Sequence, residues 1–185
     1  MSTTIEAPLV TPDELLKLDD GILYELVDGQ LVEKHMGVEA SEVATVLTEL
    51  LSAFNRKNKV GHVYTETTIM CFPKYPDRIR RPDICLVKAG RFPNKRSPKG
   101  HILIAPDLAI EIVSPHDSYY EVEAKASEYL EAGITEVWLI NPDLKRLTVK
   151  KQGEGDIVVS KGSVFYSKLL SGFSLPLNEL FETLE

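Results

Sequence analysis

Residues 106–115 read Pro106-Asp107-Leu108-Ala109-Ile110-Glu111-Ile112-Val113-Ser114-Pro115, a stretch closed by proline at both ends whose apolar run from Leu108 to Val113 is broken by one acid, Glu111. Continuous apolarity of this kind is expected of a strand covered on both faces. Ser118-x-x-Glu121 then supplies a capping box for a helix that should end near Gly133. Glu136-Val137-Trp138-Leu139-Ile140 follows as a second strand, stopped by Asn141-Pro142. Strand, helix and strand in that order form a crossover unit, which lays its two strands parallel in one sheet. The fold class is therefore α/β.

Working outward, His62 to Met70 and Ile84 to Val87 are two further strands, separated from the 108–113 strand by the proline-, glycine- and charge-rich loop 91–100. Upstream, Val43, Val46, Leu47, Leu50, Leu51 and Phe54 recur at helical spacing between Ser41 and Lys57, with Gly61 just beyond the helix end. Tyr24-Glu25-Leu26-Val27 and Gln30-Leu31-Val32-Glu33 flank Asp28-Gly29, the dipeptide of a two-residue hairpin turn. Thr11-Pro12-Asp13-Glu14 starts a short helix running to about Leu18. The tail carries a hairpin around Gly153 to Gly155 and a turn of helix at Asn178 to Leu184. No repeat, linker or low-complexity tract interrupts the 185 residues, so one domain over 1–185 is expected.

Composition narrows the function classes. No apolar run approaches the roughly 20 residues that span a bilayer, and MSTTIEAPLV has no basic region followed by an apolar core. A cytoplasmic protein without a membrane partner is expected. Cys71 and Cys85 are too few for a disulfide framework or a zinc site and read as small buried hydrophobes. The net charge is −7, yet residues 74–101 hold nine basic side chains against Asp77 and Asp83, a local +7 that leaves −14 for the rest. A solvated, charge-rich loop explains such a segment as readily as a phosphate-binding one does.

Glu111 sits where a charge is costly, because burying an unpaired carboxylate costs several kcal/mol. Asp83 repeats the anomaly after Arg80-Arg81-Pro82, at the start of an apolar strand. An ordinary ion pair is the bland alternative for each: Asp83 with Arg80 or Arg81, Glu111 with a lysine of the next helix. Lys125 shifts the balance. On that helix Val122, Ala126, Tyr129, Leu130 and Gly133 mark the inward stripe, and at 100° per residue Lys125 falls on its edge, nearer the core than Glu121 and Glu128. Asp, Glu and Lys then converge.

This trio resembles the active site of the PD-(D/E)XK nuclease superfamily, with Pro82-Asp83 as the first half-motif and Glu111 as the second acid. The phrases Tyr24-Glu25-Leu26-Val27-Asp28-Gly29, Arg81-Pro82-Asp83, Pro106 to Pro115, Lys125, Tyr129-Leu130-x-Ala132-Gly133 and Val137-Trp138-Leu139-Ile140-Asn141-Pro142 are similar, in order and spacing from about Tyr24 to Pro142, to the Uma-type restriction endonuclease family. Val113 stands where the superfamily has the lysine of its second motif, and in this family the lysine role passes to the following helix, here Lys125. The resemblance implies a restriction-endonuclease-like core: a mixed β-sheet flanked by helices, with the N-terminal hairpin appended. It also implies a further acid from the first core helix, Glu39 or Glu42, with Glu39 preferred because it precedes the established helix. Acids in a first turn also favour the helix dipole with no other task.

The implied chemistry is phosphodiester hydrolysis. Asp83 and Glu111 would hold Mg²⁺ or Mn²⁺, hard ions that take oxygen ligands, and Lys125 would orient or activate the attacking water or neutralise developing charge. The 74–101 segment would supply phosphate contacts close to Asp83. The expected partner is nucleic acid, DNA first, with a homo-oligomer, dimer first, as the assembly. His35, His62, His101 and His116 have no metal-ligand spacing, and Ser114, His116 and Asp117 are too close in sequence for a hydrolytic triad. Tyr119 and Tyr120 could stack on bases, against a plainer role in packing. Two other classes compete with the enzyme: a catalytically silent module binding nucleic acid or protein on the same fold, and a structural subunit exposing Phe165 and Phe173 of the tail.

Overall fold

Local signals in the sequence become elements where side chains close the backbone ends. The computed structural model describes residues 9–184 apart from 116; the reading of the first eight residues and the loop assignment of His116 lie outside them. Thr11 and Glu14 form a reciprocal capping box on α1 (Pro12–Leu15). This helix is shorter than expected, because the chain turns off after a single turn and buries only Leu15. Asp28 and Gly29 take positive φ of 52° and 78°, the conformation that lets β1 (Tyr24–Val27) and β2 (Gln30–Glu33) pair antiparallel across two residues. The α2 helix (Val38–Asn58) buries Ala40, Val43, Leu47 and Leu51 at the expected spacing.

Gly61 is not the helix stop. Lys59 adopts the left-handed cap with φ 52°, and Gly61 already belongs to β3 (Gly61–Thr65). A β-carbon on Gly61 would lie 2.1 Å from the Val87 carbonyl oxygen, so glycine is required by close approach of the neighbouring strand. The expected strand to Met70 ends early as well. Glu66 takes a φ of 49°, the chain leaves the sheet, and Ile69 makes only isolated bridges to Arg80 and Ile102.

Beyond lie β4 (Ile84–Lys88) and β5 (Leu108–Ile112), α3 (Tyr119–Glu131), then β6 (Glu136–Asn141), β7 (Arg146–Lys150) and β8 (Ile157–Ser160). Six strands form one sheet in the order β3-β4-β5-β6-β7-β8. Only β5 and β6 pair in parallel; their crossover is α3, whose Ser118 and Glu121 make the second capping box. The fold is thus α/β with a mixed sheet. Alternation along the strands sorts the core into two layers. Ile84, Leu86, Ile110, Trp138 and Ile140 pack towards α2. Cys85, Val87, Ala109, Val137 and Leu139 pack with Ala126 and Tyr129 of α3.

The tail closes the α2 layer. The strands β9 (Val164–Tyr166) and β10 (Ser174–Pro176) pair antiparallel, and α4 (Leu177–Phe181) follows. Phe165 and Phe173, expected at the surface, are 6% and 4% exposed. Both rings pack on Trp138, which covers them. Among the described residues no helix is long and apolar enough to cross a membrane. Substituting Gly61→Ala should force β3 and β4 apart and lower stability by about 2 kcal/mol, as overpacking does; an unchanged urea midpoint would show that β3 yields without cost.

Candidate active site

The β4–β5 register determines where the two acids meet. Ile84 pairs with Ile110 in antiparallel fashion, and one step further that register sets Asp83 against Glu111. By strand alternation both side chains point to the α3 face, in line with Cys85 and Ala109. Asp83 is 3% exposed and Glu111 8%. Asp83 Oδ2 accepts the backbone N–H of Ile112 at 2.6 Å, tying the first acid to the strand that carries the second.

Lys125 reaches the same place from α3. Its Nζ lies 3.1 Å from Glu111 Oε1 and 2.7 Å from Glu25 Oε1. The trio anticipated from sequence is therefore brought together. It is joined by two side chains that sequence reasoning passed over, both contributed by the hairpin. Glu25 of β1 is 4% exposed and takes Lys125, the Arg81 backbone N–H at 2.8 Å and Arg80 at 2.9 Å. Lys34, just after β2, places Nζ 2.6 Å from Asp83 Oδ1 and 3.8 Å from Glu111 Oε2. Tyr129 completes the set, its hydroxyl donating to Glu111 Oε1 at 2.6 Å. Glu111 Oε2 makes no hydrogen bond to any described residue.

The cluster forms one wall of a cleft of about 460 Å³, with Met36, Ile112, Ser114 and Val122 among its other lining residues. Its electrostatics follow from burial and neighbours. Burial alone would raise the Glu25 carboxyl, but Lys125 and Arg80 outweigh it and bring it down to about 2. Burial moves Glu111 the other way, above the usual carboxylate range, against the pull of Lys125 and Lys34. The same desolvation would lower Lys125, yet Glu111 and Glu25 hold its ammonium above the ordinary value. Lys34 is likewise raised by Glu111 and Asp83 in spite of burial. Both lysines are thus protonated at neutral pH.

Other expectations fare differently. Glu39 stands exposed in the first turn of α2 and lines a separate cleft with Val113 and Pro142, so the structure does not bring it to Asp83 and Glu111. Glu42 is exposed too. Lys125 is more buried than Glu121 but not than Glu128, whose side chain is 12% exposed against 17% for Lys125. The reason is that Glu128 is met by Arg78 and Arg80. Those pairs also correct the picture of the basic segment. Lys74 engages Glu131, Arg78 engages Asp28 and Glu128, Arg80 engages Glu25 and Glu128, and Arg91 engages Asp107. Arg81 is buried against the carbonyls of Gly21 and Glu66. Of the nine basic side chains only Arg80 lines the cleft. Lys95, Arg96 and Lys99 are exposed, on a loop held to the edge strand by Tyr64 and Ser97.

Tyr119 and Tyr120 are 72% and 83% exposed, edge to face with each other, and are not packed into the core. Cys85 is buried as expected and Cys71 is only half-buried, with desolvation pushing each thiol up to about 12. Ser114 and Asp117 form a tight turn through Ser114 N–H to Asp117 Oδ2. His101 is a satisfied core histidine, bonded to Thr68 and the Pro12 carbonyl. A buried acid is not by itself a sign of chemistry here. Glu136, 2% exposed, is fully accounted for by Lys151 and the Trp138 indole.

Replacing Glu25 by Gln should leave Lys125 with Glu111 and Arg80 with Glu128 as their remaining acids and cost about 3 kcal/mol, the low end of the penalty for breaking a buried pair. Because the folded carboxyl titrates near 2, below its unfolded value, its contribution is complete above about pH 4.5 and fades as pH falls towards 2. Chemical denaturation from pH 6 to pH 2.5 should therefore show a shallower loss in Glu25→Gln than in the parent; equal slopes would remove Glu25 from the acid response.

The chain resembles the crystal structure of a "putative nuclease" from Anabaena variabilis, with a TM-score of 0.79 and 24% sequence identity over 95% of this chain and 99% of that one. At that identity the likeness carries the fold. No curated protein matches the chain. The model of the Uma2 family, described as "Putative restriction endonuclease", matches residues 12–178. The chain belongs to this Uma2 family, a family of nucleases of the restriction endonuclease type.

Proposed function

We propose that the chain is a metal-dependent endonuclease that hydrolyses phosphodiester bonds in nucleic acid, DNA in the first instance, with Asp83 and Glu111 holding Mg²⁺ or Mn²⁺ and Lys125 assisting at the phosphate. The observation that carries this reading is the placing of two carboxylates, Asp83 just before β4 and Glu111 within β5, within 4 Å of one positive centre, Lys34 Nζ, on the wall of an open cleft. That ammonium acts as a stand-in ion. It marks a position to which hard oxygen donors from Asp83 and Glu111 both converge, the donor set that Mg²⁺ and Mn²⁺ prefer. Among the described residues no group of three or more His, Cys, Asp or Glu side chains is disposed to hold a metal ion. Two carboxylates suit an ion that keeps most of its waters or takes substrate oxygens.

Such an ion supplies Lewis acidity towards the phosphoryl oxygen and lowers the pKa of a water. The protein's own groups do the rest. Tyr129 and Lys125 fix Glu111 Oε1, which leaves Oε2 towards the cleft. Ile112 N–H fixes Asp83 Oδ2. Lys125, held protonated by Glu111 and Glu25, is suited to neutralise charge building on the phosphate and to orient a water, and unsuited to removing a proton from it. Glu25 touches no reacting atom in this scheme; it positions Lys125.

The second reading, a catalytically silent binding module, draws on one observation: both oxygens of Asp83 and both of Glu25 already have partners, as in a structural ion network. Cleavage of plasmid DNA and of an RNA transcript with Mn²⁺, Mg²⁺ or a chelator separates the two. Activity should need the ion, and Asp83→Asn or Glu111→Gln should lower it at least about a hundredfold, the loss of several kcal/mol of charge stabilisation. Undiminished cleavage by either variant would overturn the assignment, and no cleavage by the parent on any substrate, with no binding of the ion, would leave the module.

A further inference from the structure

One cation of the cluster has no task in this chemistry. Lys34 Nζ lies 2.6 Å from Asp83 Oδ1, 3.8 Å from Glu111 Oε2 and 3.9 Å from Glu66 Oε2, and it also donates to the Arg81 carbonyl. Its side chain is 14% exposed. The three acids come from three places in the chain: Glu66 after β3, Asp83 before β4 and Glu111 within β5. Carboxylates and a backbone carbonyl are the donor types that an oxygen-ligated ion takes, and Asp83 and Glu111 are the pair of them that the site proposed above uses.

An ordinary structural ion pair does not need this arrangement. Glu136 is neutralised by one lysine, Lys151, and one indole N–H, and Asp107 by Arg91 and a backbone N–H. Lys125 also differs, since its two partners are Glu25 and Glu111 Oε1, and its work is accounted for. Among the described residues, Lys34 alone engages Asp83 Oδ1 and faces Glu111 Oε2, the two oxygens left for an ion held by both acids. An ammonium and a divalent ion repel each other, so crowding both onto Asp83 Oδ1 weakens the hold on each.

We propose that Lys34 is a tethered counter-ion, its ammonium occupying the cation position between Asp83 and Glu111, so that it must withdraw before those carboxylates take a divalent ion. The inference rests on the metal site proposed above. Lys34 is carried by the hairpin on a flexible four-carbon stem and lines the cleft. Once displaced it therefore stays on the substrate side, where a phosphate can pair with it. Metal entry is thereby opposed in the free protein and favoured when a polyanion receives the released ammonium.

The test measures binding, without reference to cleavage. Mn²⁺ titration by calorimetry and thermal melting with and without Mn²⁺ should be run on the parent, Lys34→Met, Lys34→Gln and Asp83→Asn. Lys34→Met should melt lower than the parent without metal, bind Mn²⁺ at least tenfold more tightly and recover most of its melting temperature on binding. Equal Mn²⁺ affinity in parent and Lys34→Met, abolished by Asp83→Asn, leaves the metal site standing and overturns the role of Lys34. Absence of Mn²⁺ binding from parent and Lys34→Met alike, or binding indifferent to Asp83→Asn, overturns the site and the inference together. Should Lys34→Met fold only in the presence of Mn²⁺, that result supports the replacement directly. Should it not fold at all, Lys34→Gln takes its place, and lysine acylation of the parent read by mass spectrometry gives an independent measure. Lys34 labelling should rise on Mn²⁺ saturation, and an unchanged level overturns the proposal.

Discussion

A carboxylate taken out of water must bring a cation with it, and the α3 face of the sheet depends on that condition. Strand pairing alone delivers Asp83 and Glu111 to the same spot, in an antiparallel register of β4 and β5 from which a one-residue slip would turn their side chains to the wrong faces. Two acids so placed would repel each other and lack hydration. Lys125 from α3, Lys34 from the hairpin and the Tyr129 hydroxyl supply the compensation. Glu25 then balances the excess on Lys125 and is itself secured by Arg80. The hairpin, the sheet and the crossover helix are thus assembled around a charge balance as much as around an apolar core.

The same condition explains the arginines. Residues 74–101 carry a local surplus of positive charge, and from sequence that surplus suggests an outward-facing patch for phosphate. Folding turns much of it inward. Arg78 and Arg80 reach Glu128 on α3 together with Asp28 and Glu25 on the hairpin, so acids distant in sequence take up the charge. The cleft keeps Arg80, Lys34 and Lys125 as its basic lining residues. Its attraction for a polyanion is local, set by a few side chains at short range, while the net charge of −7 opposes approach elsewhere.

Much of this was legible in the chain, and the failures have physical causes. Glu111 stood out because it interrupts an apolar run, and Lys125 because helical phase puts it on the inward edge of α3; both signals are local in sequence. Glu25 and Lys34 carry no such mark. Each lies on a short hairpin strand or its end, where alternation of polar and apolar residues makes an inward acid look like an outward one. In the structure Glu25 and Leu26 are both buried side by side, against the alternation expected of a strand. Ion-pair partners fifty residues away, such as Asp28 and Arg78, leave no periodicity to detect. Gly61 illustrates the converse: a glycine after a helix suggests a cap, whereas its cause is the backbone of β4 passing alongside. Phe165 and Phe173 needed knowledge of where Trp138 would lie.

The hairpin that supplies Glu25 and Lys34 has strands of only four residues and stands outside the six-stranded sheet. It is held by a small apolar cluster around Leu15, Leu26 and Ile79 and by the ion pairs already described. Two of the cluster's six side chains, Glu25 and Lys34, therefore reside on an attachment, and the other four on or beside β4, β5 and α3. Opening of the hairpin alone would leave Asp83 and Glu111 in place while removing the charge of Lys34 and the anchor of Lys125. Amide exchange in β1 and β2 relative to β4 and β5 thus reports two different things: how often the protein unfolds, and how often it stays folded with its site taken apart.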